Sequence, residues 1–290
     1  MIYVITGPTC LGKSETAIFL ANKLDAEIVN GDAFQCYKEM NIGVAKPSEE
    51  QLLKAPHHLY SMINVDHEYS IAEYQINLRK KIDEIFARGK DIVLVGGSGL
   101  YIRSALYDYK FNEQKEVDMS KYEAMDDKAL HLELEKIDSI EASKIHENNR
   151  KRVLRAIQIY LSEGKAKSEI IANQEHKLLY DAKFFVREME REELYNRINK
   201  RVDLMVKNGL VDEVKQLVDK YGSSCRSLQA IGYKEIIEYF DGKISLDDAI
   251  ELIKKNTRNY AKRQMTYIRH QFPVIFYKEN EDILKEIENG

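Results

Sequence analysis

Cysteine is scarce in this chain, with three in 290 residues, at Cys10, Cys36 and Cys225. No C-x-x-C spacing joins them, which argues against both a disulfide framework and a structural zinc site. The seven histidines show no ligand spacing, and the adjacent His57-His58 reads as a loop feature. No apolar run approaches the roughly 18–20 residues of a membrane span, so no membrane contact is expected. The chain opens on a strand-like run and not on a leader, so the expected location is the cytoplasm. Internal repeats and low-complexity segments are missing. So is an excess of positive charge: the net charge is −4, which does not advertise a nucleic-acid binder.

What is there describes a folded, soluble protein: 44% hydrophobic and 32% charged residues. The length suffices for one large core, or for a core domain carrying an insertion. The averaged charge conceals patches. "KKNTRNYAKRQMTYIR", from Lys254 to Arg269, holds six basic residues and no acid, and "NNRKRVLR" gathers Arg150, Lys151, Arg152 and Arg155. Basic faces on an acidic whole suit a polyanion that must land in one place.

"VITGPTCLGKSETA" contains Gly7-Pro8-Thr9-Cys10-Leu11-Gly12-Lys13-Ser14, a full match to the phosphate-cradling pattern G-x-x-x-x-G-K-[ST]. The glycines let successive N–H groups turn inward, the following helix adds its positive dipole end, Lys13 adds a charge, and the Ser14 hydroxyl can bind Mg²⁺. A chance match in a glycine-rich turn is the bland alternative. The pattern here follows a strand candidate (2–6) and precedes a helix, "KSETAIFLANKL".

"EIV" (27–29) and "DIVLV" (91–95) read as further strands, the latter closing on Gly96-Gly97-Ser98-Gly99 and a helix. Short apolar strands alternating with helices imply an α/β fold, a P-loop NTPase-like parallel sheet flanked by helices. Residues 112–181 are polar and helical in period, so they read as a helical insertion domain within a core domain of 1–111 and 182–290. "AKFFVREM" (182–189) returns to the sheet. A helical stripe of Leu194, Ile198, Val202, Met205 and Val206 follows, with Gly209 and Gly222 as stops. A last helix of about seven turns begins at the cap Ser245.

An ATPase or GTPase usually ends a buried strand in a magnesium-holding acid. "IVLV" ends in Gly96-Gly97-Ser98 instead. The available carboxylate is Asp32, just after the second strand, on the same sheet edge as the cradle. It can take a proton from an acceptor group; a turn or cap residue is the structural alternative.

Eight blocks resemble, in order, the signature segments of the bacterial tRNA dimethylallyltransferase family: "GPTCLGKS", "NGDAFQCYKEMNIGVAKP", "APHHL", "VGGSGLYIRSAL", "RKRVLRA", "RINKRVDLMVKNGLVDEV", "QAIGYKEI" and "TRNYAKRQMTYIR". The likeness thins only between about 112 and 140 and in the last dozen residues. It implies transfer of a dimethylallyl group from dimethylallyl diphosphate to the exocyclic amine of the adenosine immediately 3′ of the tRNA anticodon. The cradle would hold a diphosphate leaving group, Asp32 would act as base, and Mg²⁺ at Ser14 would be the cofactor. The resemblance further assigns Thr9 and Arg201 to the diphosphate, with Arg197 beside them. It assigns Asp32, Ala33, Phe34 and Gln35 to the surroundings of the target adenine and sets Ser98 near the tRNA substrate. Lys151, Arg152, Val153, Leu154 and Arg155 are assigned to tRNA. Asn149, Gln158 and Tyr267 depart from the family pattern. A monomer is the simplest expectation.

Three other readings compete. A small-molecule kinase would use the same cradle for ATP. An adenylate prenyltransferase acting on free nucleotide would have no use for the insertion or the basic clusters. A nucleotide-gated RNA-binding module would leave Asp32 idle.

Overall fold

Ile2–Thr6 and Ile92–Gly96 are buried at every position. Runs of this kind need a sheet covered on both faces. The computed structural model describes residues 1–111, 117–173 and 175–289. Its chain runs β1 (Ile2–Thr6), α1 (Lys13–Leu24), β2 (Glu27–Asn30), α2 (Glu49–Leu52), β3 (His57–His58), α3 (Ile71–Phe86), β4 (Ile92–Gly96) and α4 (Gly99–Leu106). Five helices follow: α5 (Ser120–Glu123), α6 (Asp127–Ile137), α7 (Ser139–Ala142), α8 (Arg150–Glu163) and α9 (Lys167–Ala172). The chain then resumes with β5 (Ala182–Arg187), α10 (Arg191–Lys207), α11 (Leu210–Tyr221), a 3-10 turn (Arg226–Gln229), α12 (Tyr233–Phe240), α13 (Leu246–Gln271), β6 (Val274–Tyr277) and α14 (Asn280–Glu288).

The six strands form one parallel sheet of order β3-β2-β4-β1-β5-β6. This is the P-loop NTPase-like architecture. Its carboxyl edge gathers the segments after β1, β2 and β4, where open α/β sheets bind ligands. α1 buries Ala17, Ile18, Leu20 and Ala21 against Ile5, Ile28, Val93 and Phe185. Each fully buried leucine or isoleucine contributes roughly 1.5–3 kcal/mol. Helix starts follow local chemistry. Ser70 and Glu73 form a capping box on α3, and the Ser245 hydroxyl accepts the Asp248 N–H at 3.2 Å to open α13.

Two compact units result, Met1–Leu106 with Leu179–Gly290, and Tyr107–Leu178. The second has its own apolar cluster, which includes Leu130, Leu134, Val153 and Ile157. The expected boundary at 112 lies outside the described residues, and the return expected at 182 falls instead at Leu179. An antiparallel bridge between Tyr107 and Leu178 closes the inserted unit on itself, which sets these limits.

Two strands depart from the sequence reading. His57-His58 is not a loop but the edge strand β3, paired with Ile28 and Val29. The Ile28 N–H donates to the Pro56 carbonyl at 2.9 Å, so backbone bonding holds the pair in place. β6 is a strand with no counterpart in that reading. On α10, Leu194, Ile198 and Val202 are buried as expected, whereas Met205 and Val206 are half-buried.

Candidate active site

After β1 the backbone reverses through Gly7 and Gly12 at φ 131° and 77°, a region that costs a residue with a Cβ about 1–2 kcal/mol. Cys10 adopts φ 68° nonetheless, and strain retained at such a turn points to function. Among the described residues no side chain caps α1, which leaves the positive end of its dipole to the loop, the arrangement that binds anions. Lys13 Nζ donates to the Pro8 carbonyl at 2.7 Å. Burial lowers the Lys13 pKa to about 8; the Arg201 charge adds to the fall and Asp32 opposes it. From α10, Arg201 Nη1 donates to Thr9 Oγ1 at 3.2 Å and lies 3.6 Å from Cys10 Sγ.

Asp32 lines the same cavity as Lys13, Ser14 and Arg201, a space of about 580 Å³. Its turn is built by Asn30, which is fully buried. Asn30 Nδ2 donates to the Asp32 and Leu59 carbonyls, each at 3.1 Å, and its Oδ1 accepts the Asp32 N–H at 2.9 Å. Asp32 Oδ1 accepts the Phe34 N–H at 2.9 Å. Burial raises the Asp32 pKa, and the Phe34 N–H and the Lys13 charge oppose the rise without cancelling it. A carboxylate so placed is a stronger base than an exposed aspartate.

Other anticipated residues fall in different places. Phe34 and Gln35 line the cavity. Ser98 is buried, and its hydroxyl accepts the Ala33 N–H at 3.0 Å; both residues shape the turn that carries Asp32. Leu11 is a core residue, buried to 1% exposure, so only its backbone can meet a phosphate. Arg197 does not join Arg201. It lies about one turn earlier, about 6 Å along the helix axis, and pairs with Glu193 at 2.7 Å. On α8, Lys151, Arg152 and Arg155 are exposed, and Arg155 donates to Gln158 at 2.7 Å. Val153 is buried in the core of the inserted unit, with the half-buried Leu154 packed against it. Part of the basic run on α13 is engaged within the fold: Lys254 is ion-paired with Asp203 at 2.7 Å, and Arg258, still charged, donates to Asn199 at 2.6 Å.

Among the cavity-wall residues that sequence reasoning did not single out are Gln264 and Lys46. Buried Gln264 accepts the Thr9 N–H at 3.2 Å and donates to the Gly97 carbonyl at 2.9 Å, stapling the cradle to the end of β4. Its one sequence mark is an amide within the stripe Ala261, Gln264, Ile268, which is otherwise apolar. Lys46 donates to the carbonyls of Tyr37 and Lys38 at 2.6 and 3.1 Å, and burial lowers its pKa to about 8. It lies in a loop, where no periodicity marks it.

Among the described residues, no group of three or more His, Cys, Asp or Glu side chains could hold a metal ion. Mg²⁺ retains waters and takes phosphate oxygens with one or two protein groups. The half-buried Ser14, on the cavity wall beside Lys13, fits that modest demand.

Comparison with known proteins matches the IPP transferase family model over residues 35–271. The tRNA dimethylallyltransferase of Anoxybacillus flavithermus is 42% identical, over 98% of this chain and 92% of that protein. The Bacillus subtilis tRNA dimethylallyltransferase is 44% identical, over 95% and 90%. Among solved structures, the tRNA delta(2)-isopentenylpyrophosphate transferase of Staphylococcus epidermidis superposes with a TM-score of 0.74 at 38% identity, covering 99% of this chain and 97% of that one. A eukaryotic dimethylallyltransferase acting on tRNA gives a TM-score of 0.82 at 30% identity, covering 96% and 74%.

Proposed function

The chain belongs to the IPP transferase family, and from that premise we propose that it transfers a dimethylallyl group from dimethylallyl diphosphate to the exocyclic amine of the adenosine immediately 3′ of a tRNA anticodon, releasing diphosphate. The observation that carries this reading is a single cavity bounded by the cradle, Arg201 and Asp32.

The cradle amides, Lys13 and Arg201 receive the diphosphate. As the allylic C–O bond breaks, negative charge grows on the departing oxygen, and these donors meet it without rearranging. Ile198, Val202 and Met205 give the α10 wall of the cavity an apolar stretch around Arg201, suited to the hydrocarbon. The adenine amine is a weak nucleophile because its lone pair is delocalised into the ring. Asp32 accepts its proton as the C–N bond forms. The Ser14 hydroxyl would hold Mg²⁺, which when bound would supply positive charge against the leaving group. Lys151, Arg152 and Arg155 on α8 contact tRNA phosphates, which positions the RNA without reading its sequence. The working unit in this reading is a monomer, acting in the cytoplasm. No helix among the described residues is long and apolar enough to cross a membrane.

The test incubates the protein with dimethylallyl diphosphate, Mg²⁺ and unmodified tRNA, with AMP as acceptor in a second arm and ATP with small alcohols in a third. Mass spectrometry should find prenylation of tRNA alone. Prenylated AMP, or phosphoryl transfer from ATP, would overturn the reading.

A further inference from the structure

The segment after Asp32 is held from behind by one carboxylate. Glu213, on α11, accepts the N–H groups of Asn41 and Ile42 at Oε2, at 3.0 and 2.8 Å. Its Oε1 accepts the Gly43 N–H at 3.1 Å and the Tyr233 hydroxyl at 2.6 Å. Three successive amides on one carboxylate form a tight anion nest, here filled by the protein itself. Tyr233 is fully buried, and a Cβ at residue 43 would lie 2.4 Å from its ring, so only glycine fits there. The turn closes through Ala45, whose N–H donates to the Ile42 carbonyl at 3.0 Å and whose φ is 49°.

This turn faces the cavity with Gly43, Val44, Ala45 and Lys46, and it fixes Gln35. Gln35 Nε2 donates to the Val44 carbonyl at 3.1 Å and to the Ala45 carbonyl at 3.0 Å. Carbonyl oxygens only accept, so the amide nitrogen must occupy that position. A primary amide has two donor hydrogens, and both are committed. Toward the cavity the Gln35 amide can therefore offer only its oxygen, an acceptor three residues from Asp32.

We propose that Glu213, backed by Tyr233, is a positioning residue of the transfer reaction. It moulds residues 41–45 so that Gln35 presents an acceptor to the nucleobase, selecting a base edge that carries an N–H donor. An adenine edge bears an exocyclic amine; at the same place guanine bears a carbonyl, which would meet the Gln35 oxygen without a hydrogen between them. The inference rests on the adenosine-prenylating reading above and adds how the base is told apart.

Three variants test it: Glu213→Gln, which turns an amide toward backbone donors; Gly43→Ala, which pushes the turn off Tyr233; and Tyr233→Phe, which removes one hydroxyl and keeps the ring. The readouts are the KM for an anticodon stem-loop, the ratio of binding constants for stem-loops with adenine or guanine at the target, and the affinity for inorganic pyrophosphate. Glu213→Gln and Gly43→Ala should raise the stem-loop KM about tenfold and cut the adenine preference about fivefold, the scale of one misplaced hydrogen bond. Pyrophosphate affinity should stay within about twofold. Tyr233→Phe, which disturbs packing least, should move the same two readouts about threefold. An unchanged adenine preference, or pyrophosphate affinity falling in step with stem-loop affinity, would reduce Glu213 to general scaffolding and overturn the inference. If the unaltered protein leaves the stem-loop unprenylated, the functional reading fails and takes this inference with it. An active wild type with insensitive variants sinks the inference alone.

Discussion

Raising the pH from 7 to 9 discharges Lys13 in the cradle, whose pKa burial has lowered to about 8. A diphosphate bound over the cradle restores a full positive charge on that amine, because an anion at contact outweighs both the desolvation and the Arg201 repulsion. Binding then takes up protons wherever the free lysine is neutral: about half a proton per event at pH 8 and about 0.9 at pH 9. The apparent Kd for pyrophosphate should consequently weaken about tenfold from pH 7 to 9, or ~1.4 kcal/mol. Pyrophosphate titrates as well, so the comparison is with Lys13→Arg, whose charge persists throughout the range. Isothermal titration calorimetry in two buffers of different ionisation enthalpy reads affinity and proton uptake together. The wild type should show the extra uptake and the variant should not. Equal uptake in both proteins at pH 8 and 9 would refute the claim that burial has lowered this lysine.

Asp32→Asn should reduce turnover about 10²–10⁴-fold, the range for a lost general base. Because the folded pKa of Asp32 is raised, the native state binds its proton more tightly than the unfolded chain does, and ionisation subtracts from stability as pH rises through that folded value. Asp32→Asn should therefore unfold at a higher temperature than the wild type near pH 8, with the gain shrinking toward acid pH in calorimetric scans. Arg201→Ala, which removes the contact to Thr9, should lower kcat more than it raises the KM for tRNA; equal effects on both would contradict its place at the leaving group. Arg152→Ala should weaken tRNA binding across sequences and lower the salt slope by about one, read by filter binding at several ionic strengths. Its neighbour Val153→Ala should instead cost roughly 1–3 kcal/mol of stability, measured by urea denaturation, because that side chain fills the core of the inserted unit.

Where the chain dictates structure through near neighbours, the sequence is easy to read. The cradle, α1 and β1 follow from one contiguous motif, and Ser245 opens α13 as its hydroxyl predicts. Asp32 could be placed because strand ends in a parallel sheet share one edge. β3 and β6 were hidden: two and four residues long at the sheet margins, they owe their state to a neighbouring backbone. Arg197 and Arg201 share a helix face, and only tertiary docking decides which turn meets Thr9. Glu213 and Gln264 act across 170 residues and more, on partners that no local pattern connects to them.

The bridge between Tyr107 and Leu178 has a consequence for how such a molecule is assembled and altered. The Leu179 N–H donates to the Leu106 carbonyl at 2.9 Å, so the chain leaves and re-enters the sheet domain through one doorway. A tight turn could span that gap, and everything beyond it could be exchanged, shortened or lost without unthreading a strand. The parallel sheet and its phosphate loop lie wholly on one side of that doorway, and the helical module wholly on the other.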